Sequence, residues 1–421
     1  MKRLLAAALA APLCVLAAQA QTLPSPADGD LLTLDTALVE ASRRSPLPLV
    51  AEAGVRSAEA ARDVAALRPN PSIGIDTENA LGTGPYRGLD GSDTTIAFAL
   101  PVELGGKRSA RVAVAHSRVR RAEIDVVIAG ADLRLAVTQA YIALIAAERR
   151  TAVADAQLAV TTENLRIARD RVMVGANSPI DEQRAALEQV RARAEADVAR
   201  RSAVAARELL RHYVGDRATG TLDAVWFDQM VTEVQGPVLP EKVDGTLALA
   251  AAAVDTDAAE AGLRLARSQR APDVTLTAGT RRLEATNDHA MVFGVSIPLP
   301  IFNGGKASIT QASRERDQSE ARERAVRFEA EQAIAAAEAD RDRAATAVRA
   351  SAPALVAAGE AARIARIGYA EGKFDQMVLL DAERTFLDTR RGAIDARADY
   401  HNAVARLERL TMRLSGAGEK Q

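Results

Sequence analysis

Imidazoles, thiols and carboxylates are the side chains that bind metals or move protons, and this sequence arranges them sparsely. The four histidines, His116, His212, His289 and His401, include no pair at the i, i+4 spacing that sets two ligands on one helix face. Each reads as a surface or interface residue. The single cysteine, Cys14, excludes a disulfide framework and a thiolate zinc site. No nucleophile–base set, glycine-rich phosphate loop or metal cluster is present, which argues against an enzyme and calls for no cofactor. What remains is a pair of carboxylates, Asp181 and Asp381, each shortly after a turn, Val174-Gly175-Ala176-Asn177-Ser178-Pro179 and Glu371-Gly372-Lys373-Phe374-Asp375. Carboxylates gathered at a narrowing attract cations. Glycine ends a helix by tolerating left-handed geometry, while Asn, Ser and Asp cap the next one, so both motifs read as helix-to-helix turns. Phe374 is an exposed aromatic at such a turn, a residue type that anchors partners.

The elements that must position these turns come in two copies. Leu100-Pro101-x-x-x-Gly105-Gly106-Lys107 matches Leu299-Pro300-x-x-x-Gly304-Gly305-Lys306 at an offset of 199. Ala58-Glu59-Ala60 and Pro71 match Ala259-Glu260-Ala261 and Pro272 at an offset of 201. Arg166-Ile167-Ala168-Arg169 and Gly175 match Arg363-Ile364-Ala365-Arg366 and Gly372 at an offset of 197. A unit of this length is a single duplication, far longer than a solenoid repeat. Each unit opens with helical segments, roughly 33–67 and 245–269. Pro69 and Pro71, and Pro272 in the second unit, stop them. Two strand candidates follow, roughly 71–79 and 93–101, then 272–281 and 290–299, with apolar residues alternating against small or polar ones. After each Gly-Gly-Lys comes a helical pattern that could extend to roughly 100 Å, and then a second helix over roughly 180–214 and 376–414. The expected organisation is a first repeat over 21–215, a non-helical linker over 216–244 with Trp226, Gly236, Pro237 and Pro240, a second repeat over 245–414 and a tail over 415–421.

Composition narrows the function. The 421 residues carry 54 Lys+Arg against 56 Asp+Glu, so the broad basic field of a nucleic-acid binder is absent. Aromatics are only 3%, and alanine and arginine dominate, which suits long helices packed at close range. Residues 1–20 have a basic start at Lys2 and Arg3, an apolar stretch from Leu4 to Ala18, and a small-x-small pattern at Ala18-Gln19-Ala20. These features read as a secretory signal peptide. Leu13 is too large for the lipidation signal that would use Cys14. Beyond residue 20 we identify no apolar run long enough for a membrane-spanning helix. Four short strands with one apolar face, in an exported chain, instead suggest a transmembrane β-barrel. Open sheet edges do not sit in lipid, so the strands must close with copies from other subunits. The alternatives are an exported α/β protein with two hairpins packed on helices, and an exported structural coiled-coil protein.

The duplication, the strand pair before each Gly-Gly-Lys and the paired long helices resemble the TolC-type outer-membrane efflux family. Gly368-Tyr369-Ala370-Glu371-Gly372-Lys373-Phe374, Leu379-Leu380-Asp381-Ala382-Glu383-Arg384-Thr385 and the ending Tyr400-His401-Asn402-Ala403 to Leu407-Glu408-Arg409-Leu410 are similar to its CzcC-like heavy-metal branch. The resemblance implies a mainly α fold with a small membrane β-barrel. Each protomer of a homotrimer would give four strands to a shared twelve-stranded barrel, with a long helical barrel in the periplasm of a Gram-negative cell. The implied function is a passive exit duct for a proton-driven pump of the resistance-nodulation-division class, joined through a periplasmic adaptor and exporting divalent metals. A duct for drugs or for type I protein secretion is the runner-up. Gly175, Ala176, Asn177, Ser178, Gly372, Lys373, Phe374 and Asp375 would form the adaptor-docking tips, and Asp181, Tyr369 and Asp381 the periplasmic gate. Phe374 stands where the drug-efflux pattern has an arginine, and Val378 where it has an aspartate. The resemblance therefore implies a gate with fewer ionic links.

Overall fold

Proline decides where the first helical segment breaks. The computed structural model describes residues 31–229 and 242–414. In it the segment expected as one helix over 33–67 is two, α1 (Leu34–Arg44) and α2 (Pro46–Ala65). Pro46 has no N–H and drives Ser45 into an extended conformation (φ −66°, ψ 131°), from which the serine hydroxyl caps α2 through the Leu47 N–H. Before α1 lies a two-residue strand, β1 (Leu31–Leu32). After α2 come β2 (Ser72–Glu78) and β3 (Asp93–Val102), then α3 (Lys107–Met173) and α4 (Pro179–Val214). The second half repeats this order as α6 (Leu247–Ser268), β5 (Val274–Leu283), β6 (Asp288–Ser296), α7 (Lys306–Ala370) and α8 (Gln376–Thr411). The last strand stops at Ser296, short of the expected 299, because Pro298 and Pro300 cannot donate to a ladder. Pro353 lies inside α7 without ending it.

Residues 216–244, expected to be a non-helical linker, are partly helical where described. A 3₁₀ turn (Gly215–Thr219) leads to β4 (Thr221–Leu222) and a short helix α5 (Val225–Asp228). The reason is burial of two adjacent aromatics. Phe227 is fully buried, and Trp226 packs edge-on to Tyr141 and over the His401 ring, with centroids 4.2 Å apart. β4 pairs in parallel with β1, and the Tyr141 hydroxyl lies 2.7 Å from the Leu32 carbonyl and 3.1 Å from that of Asp223. His401 Nε2 donates to the Phe227 carbonyl at 3.0 Å, and burial pushes its pKa down, so the ring is neutral at neutral pH. Residues 1–20, Gly236, Pro237, Pro240 and the 415–421 tail lie outside the described residues.

The main core is the girdle where these short elements cross the middle of α3. Val137, Tyr141, Ile142, Leu144 and Ile145 are buried there against Ala37, Ala41, Leu210 and Phe227. An 18-residue stretch of α3 reaches a mean hydropathy of 1.4, enough by length and composition to cross a membrane. This departs from the expectation of no such run beyond residue 20; 39% of the stretch is buried, and α3 gives Leu133, Val137, Tyr141 and Ile142 to this core. Away from the girdle the seams are narrow and alanine-rich, as at Ala185, Ala192 and Ala196 of α4. Small side chains let the helices of each pair, α3–α4 and α7–α8, run close together.

Strands β2, β3, β5 and β6 form one antiparallel sheet in that order. Its register puts Ile73, Phe98, Ala278 and Phe293 in one row, and Ile75, Ile96, Thr280 and Met291 in the next. That face carries the apolar residues and is uncovered: Ile73, Met291 and Phe293 are 73%, 68% and 74% exposed. The opposite face carries Gly74, Asp76, Glu78, Thr95, Ala97, Thr277, Gly279 and Arg281, with Arg281 paired to Glu78 at 3.1 Å and donating to Thr95 Oγ1 at 2.8 Å. The two outer strands, β2 and β6, each have one unpaired edge within the protomer. Where sheet meets helices, the repeats are clamped together. Lys107 Nζ lies 2.7 Å from Asp273, whose carboxylate also accepts from the Leu104 N–H. Gly105 is required there by space, since a Cβ would lie 2.5 Å from that of Ala271.

Candidate functional site

The two helix-to-helix turns are built alike. Gly175 and Gly372 take φ values of 73° and 76°, and nothing lies within 4 Å of where a Cβ would stand, so backbone conformation alone demands glycine. In the first turn the Ala176 and Asn177 N–H groups return to the Arg171 carbonyl. In the second, those of Lys373 and Phe374 return to the Gly368 carbonyl. Both close the preceding helix. Ser178 then caps α4, with Pro179 at its first position, and Asp375 caps α8 by accepting from the Val378 N–H at 2.9 Å. Lys373 pairs with Glu371 at 2.6 Å. Phe374 is 41% exposed, and its ring lies across Gly368, where a Cβ would come within 2.2 Å of it. Part of the aromatic is thus spent on the turn, and the rest faces outward.

Two links that the sequence analysis did not identify tie these turns together across the repeats. Arg171, in the last turn of α3, donates to the Tyr369 carbonyl at 2.7 Å and to that of Ala370 at 3.2 Å. Its guanidinium also lies 4.4 Å from the centre of the Tyr369 ring. Gln376, buried at the start of α8, donates to the Asp181 carbonyl at 3.0 Å. Nothing in the spacing of Arg171 or Gln376 distinguishes them from ordinary helix-end residues. A third feature had a legible signal: Glu383 lies between Leu379 and Leu387 on the buried stripe of α8. Its carboxylate is 4% exposed and meets Arg366 at 2.5 Å.

The expected gate residues are brought together only in part. The Asp181 carboxylate accepts from Asn177 Nδ2 at 3.0 Å, and Arg184 lies at 3.8 Å. Tyr369 is buried close by. Burial pushes its phenol pKa up, Arg171 opposes this and Asp181 adds to it. Among the described residues its hydroxyl has no hydrogen bond of good geometry, with the Arg171 guanidinium near enough to favour the ionised phenol. Inside one chain, Tyr369 makes its well-formed contacts through its ring and carbonyl. Asp381 is exposed on α8 and makes no ion pair among the described residues. Among the described residues, no group of three or more His, Cys, Asp or Glu side chains is placed to hold a metal.

A sheet with an apolar exposed face and two open edges, joined to two helical hairpins whose outgoing helices have 67 and 65 residues, is the protomer of an outer-membrane channel. The family described as outer membrane efflux protein has a sequence model that matches residues 37–216 and 243–411, and the chain belongs to that family. It is an outer-membrane channel protein and not an enzyme. Its relatives narrow the comparison. It is 27% identical over 393 residues, 90% of each chain, to the cobalt-zinc-cadmium resistance protein CzcC of Cupriavidus metallidurans. It is 30% identical to the nickel and cobalt resistance protein CnrC of the same organism, over 68% of each chain. The outer membrane protein VceC of Vibrio cholerae shares the fold, with a TM-score of 0.73 and 21% identity over 90% of this chain and 95% of that one.

Proposed function

We propose that this chain is the exit duct of a three-component efflux system and that its cargo is divalent heavy-metal cations of the cobalt, zinc and cadmium type. The observation that carries the duct is the uncovered apolar sheet with open edges at β2 and β6. Lipid covers such a face, and only closure removes such edges. Three copies of four strands supply a twelve-stranded barrel. The cargo rests on the metal-resistance relatives CzcC and CnrC. In this reading residues 1–20 are the export signal and the two repeats, 21–215 and 245–414, flank a connecting segment. The periplasmic adaptor docks on Gly175–Ser178 and Gly372–Asp375 and couples the duct to a resistance-nodulation-division pump. Asp181, Tyr369 and Asp381 line the narrow end. A duct needs no metal site of its own, because it passes what the pump has selected.

Deleting the chain from its host tests this reading. Tolerance to zinc, cobalt or cadmium falls, measured as the lowest concentration that stops growth, and a plasmid copy restores it. Unchanged metal tolerance together with new sensitivity to dyes or detergents would move the cargo to drugs.

A further inference from the structure

The sequence holds a single tryptophan, and Trp226 stacks on a buried histidine. His116, His212 and His289 are exposed, whereas His401, on α8, is 6% exposed. The short helix α5 covers it. The Trp226 ring lies 4.2 Å from the imidazole, and the Phe227 ring 5.5 Å away and inclined by 30°. Tyr400 stands edge-on at 5.4 Å. The one hydrogen bond of His401 among the described residues runs from Nε2 to the Phe227 carbonyl. In the neutral ring Nδ1 therefore carries no proton, and no acceptor stands ready for one.

The groups around the ring do not offset its burial. From α5, Asp228 favours an imidazolium, but its carboxylate is shared between Arg149 of α3 at 2.5 Å and Arg397 of α8 at 3.8 Å. Arg397 lies one turn before His401 and opposes a second positive charge. From α3, Tyr141 is neutral: burial pushes its phenol up to about 12, and its hydroxyl is taken by the Leu32 and Asp223 carbonyls. Desolvation of the His401 ring is the largest effect, and it favours the neutral form. The same contacts make α5 a bridge. Tyr141 and Arg149 fasten it to α3 of the first repeat, and His401 and Arg397 fasten it to α8 of the second.

We propose that α5 is an acid-released strap, which ties α8 to α3 while His401 is neutral and lets go when the ring takes a second proton. The docked ring binds that proton more weakly than a ring in water does, so protonation favours release. The strap has its full stability above about pH 6.5, where a free imidazole titrates, and loses it as the pH falls below. The ratio of released to docked strap rises by up to about tenfold per pH unit, until the docked ring itself takes the proton. Release removes a tie between the two repeats and lets α8 shift against α3. The strap does not depend on which cargo the duct carries.

The test follows amide exchange and tryptophan emission in the full-length protein in detergent, from about pH 7.5 down to about pH 5. His401→Gln keeps a neutral donor for the Phe227 carbonyl and cannot titrate. Comparing the two proteins at each pH cancels the intrinsic pH dependence of exchange. The ratio of wild-type to variant exchange over residues 224–228 is constant above about pH 6.5 and climbs by up to about tenfold per unit below it. Emission from Trp226 falls over the same range in the wild type alone, because an imidazolium at stacking distance quenches indole and release exposes it to water. Two further variants decide the matter if His401→Gln misfolds. Arg397→Gln removes the opposing cation and moves the emission midpoint up; Asp228→Asn removes the favouring carboxylate and moves it down. A wild-type profile that is flat, one that His401→Gln leaves unchanged, or a midpoint indifferent to both charges overturns the proposal.

Discussion

Replacing Gly372 with glutamate and Phe374 with alanine together will lower metal tolerance to that of a deletion strain while leaving trimers in the membrane at near-normal yield. Gly372 has a φ of 76°, and an L-residue there costs about 1–2 kcal/mol. That strain is too small to unfold two helices of 65 and 36 residues, but it falls entirely on the turn. Phe374 lies across Gly368 with an exposed outer edge, so removing the ring takes away both the turn's own packing and a hydrophobic anchor. The added carboxylate would stand beside Glu371. Cross-linking to the adaptor in intact cells checks the cause. Yield near zero is expected, and wild-type yield would reduce this turn to a structural element.

The second large effect concerns closure. Arg171 and Gln376 tie the start of the second hairpin's return helix and the end of its outgoing helix to the first hairpin. Any opening that separates the two hairpins must break these links. Arg171→Ala with Gln376→Ala removes three hydrogen bonds and the guanidinium–ring contact. Single-channel conductance in planar bilayers should then rise several-fold, given net contributions of about 0.5–1.5 kcal/mol per hydrogen bond. Asp381→Ala alone should leave conductance low but weaken block by added divalent or trivalent cations. It removes an exposed carboxylate that pairs with no cation among the described residues. A double variant as closed as wild type would place the constriction elsewhere along the tube.

The architecture was legible because it rests on local rules. Duplicated Gly-Gly-Lys motifs, period-2 alternation at Ile96, Phe98 and Leu100, and glycine turns at 175 and 372 state themselves over a few residues. The departures arose where long-range packing overrode local signals. Glycine and proline around 236–240 suggested an irregular linker, yet Trp226 and Phe227 find partners in Tyr141 and His401, far along the chain, and fold a helix around that contact. The break at Ser45–Pro46 was written in the sequence and was absorbed into a longer helical pattern. For the proposed gate, Asp181, Tyr369 and Asp381 are what the resemblance implies. Arg171 and Gln376 are not among them, because their roles depend on a neighbour nearly 200 residues away.

The most direct test of the account is the mass of the folded protein in detergent, measured by native mass spectrometry with helix content followed on the same sample. Four strands per chain leave β2 and β6 with open edges that lipid does not tolerate, so the account predicts three copies per particle and no stable folded monomer. A monodisperse, fully helical monomer would contradict it.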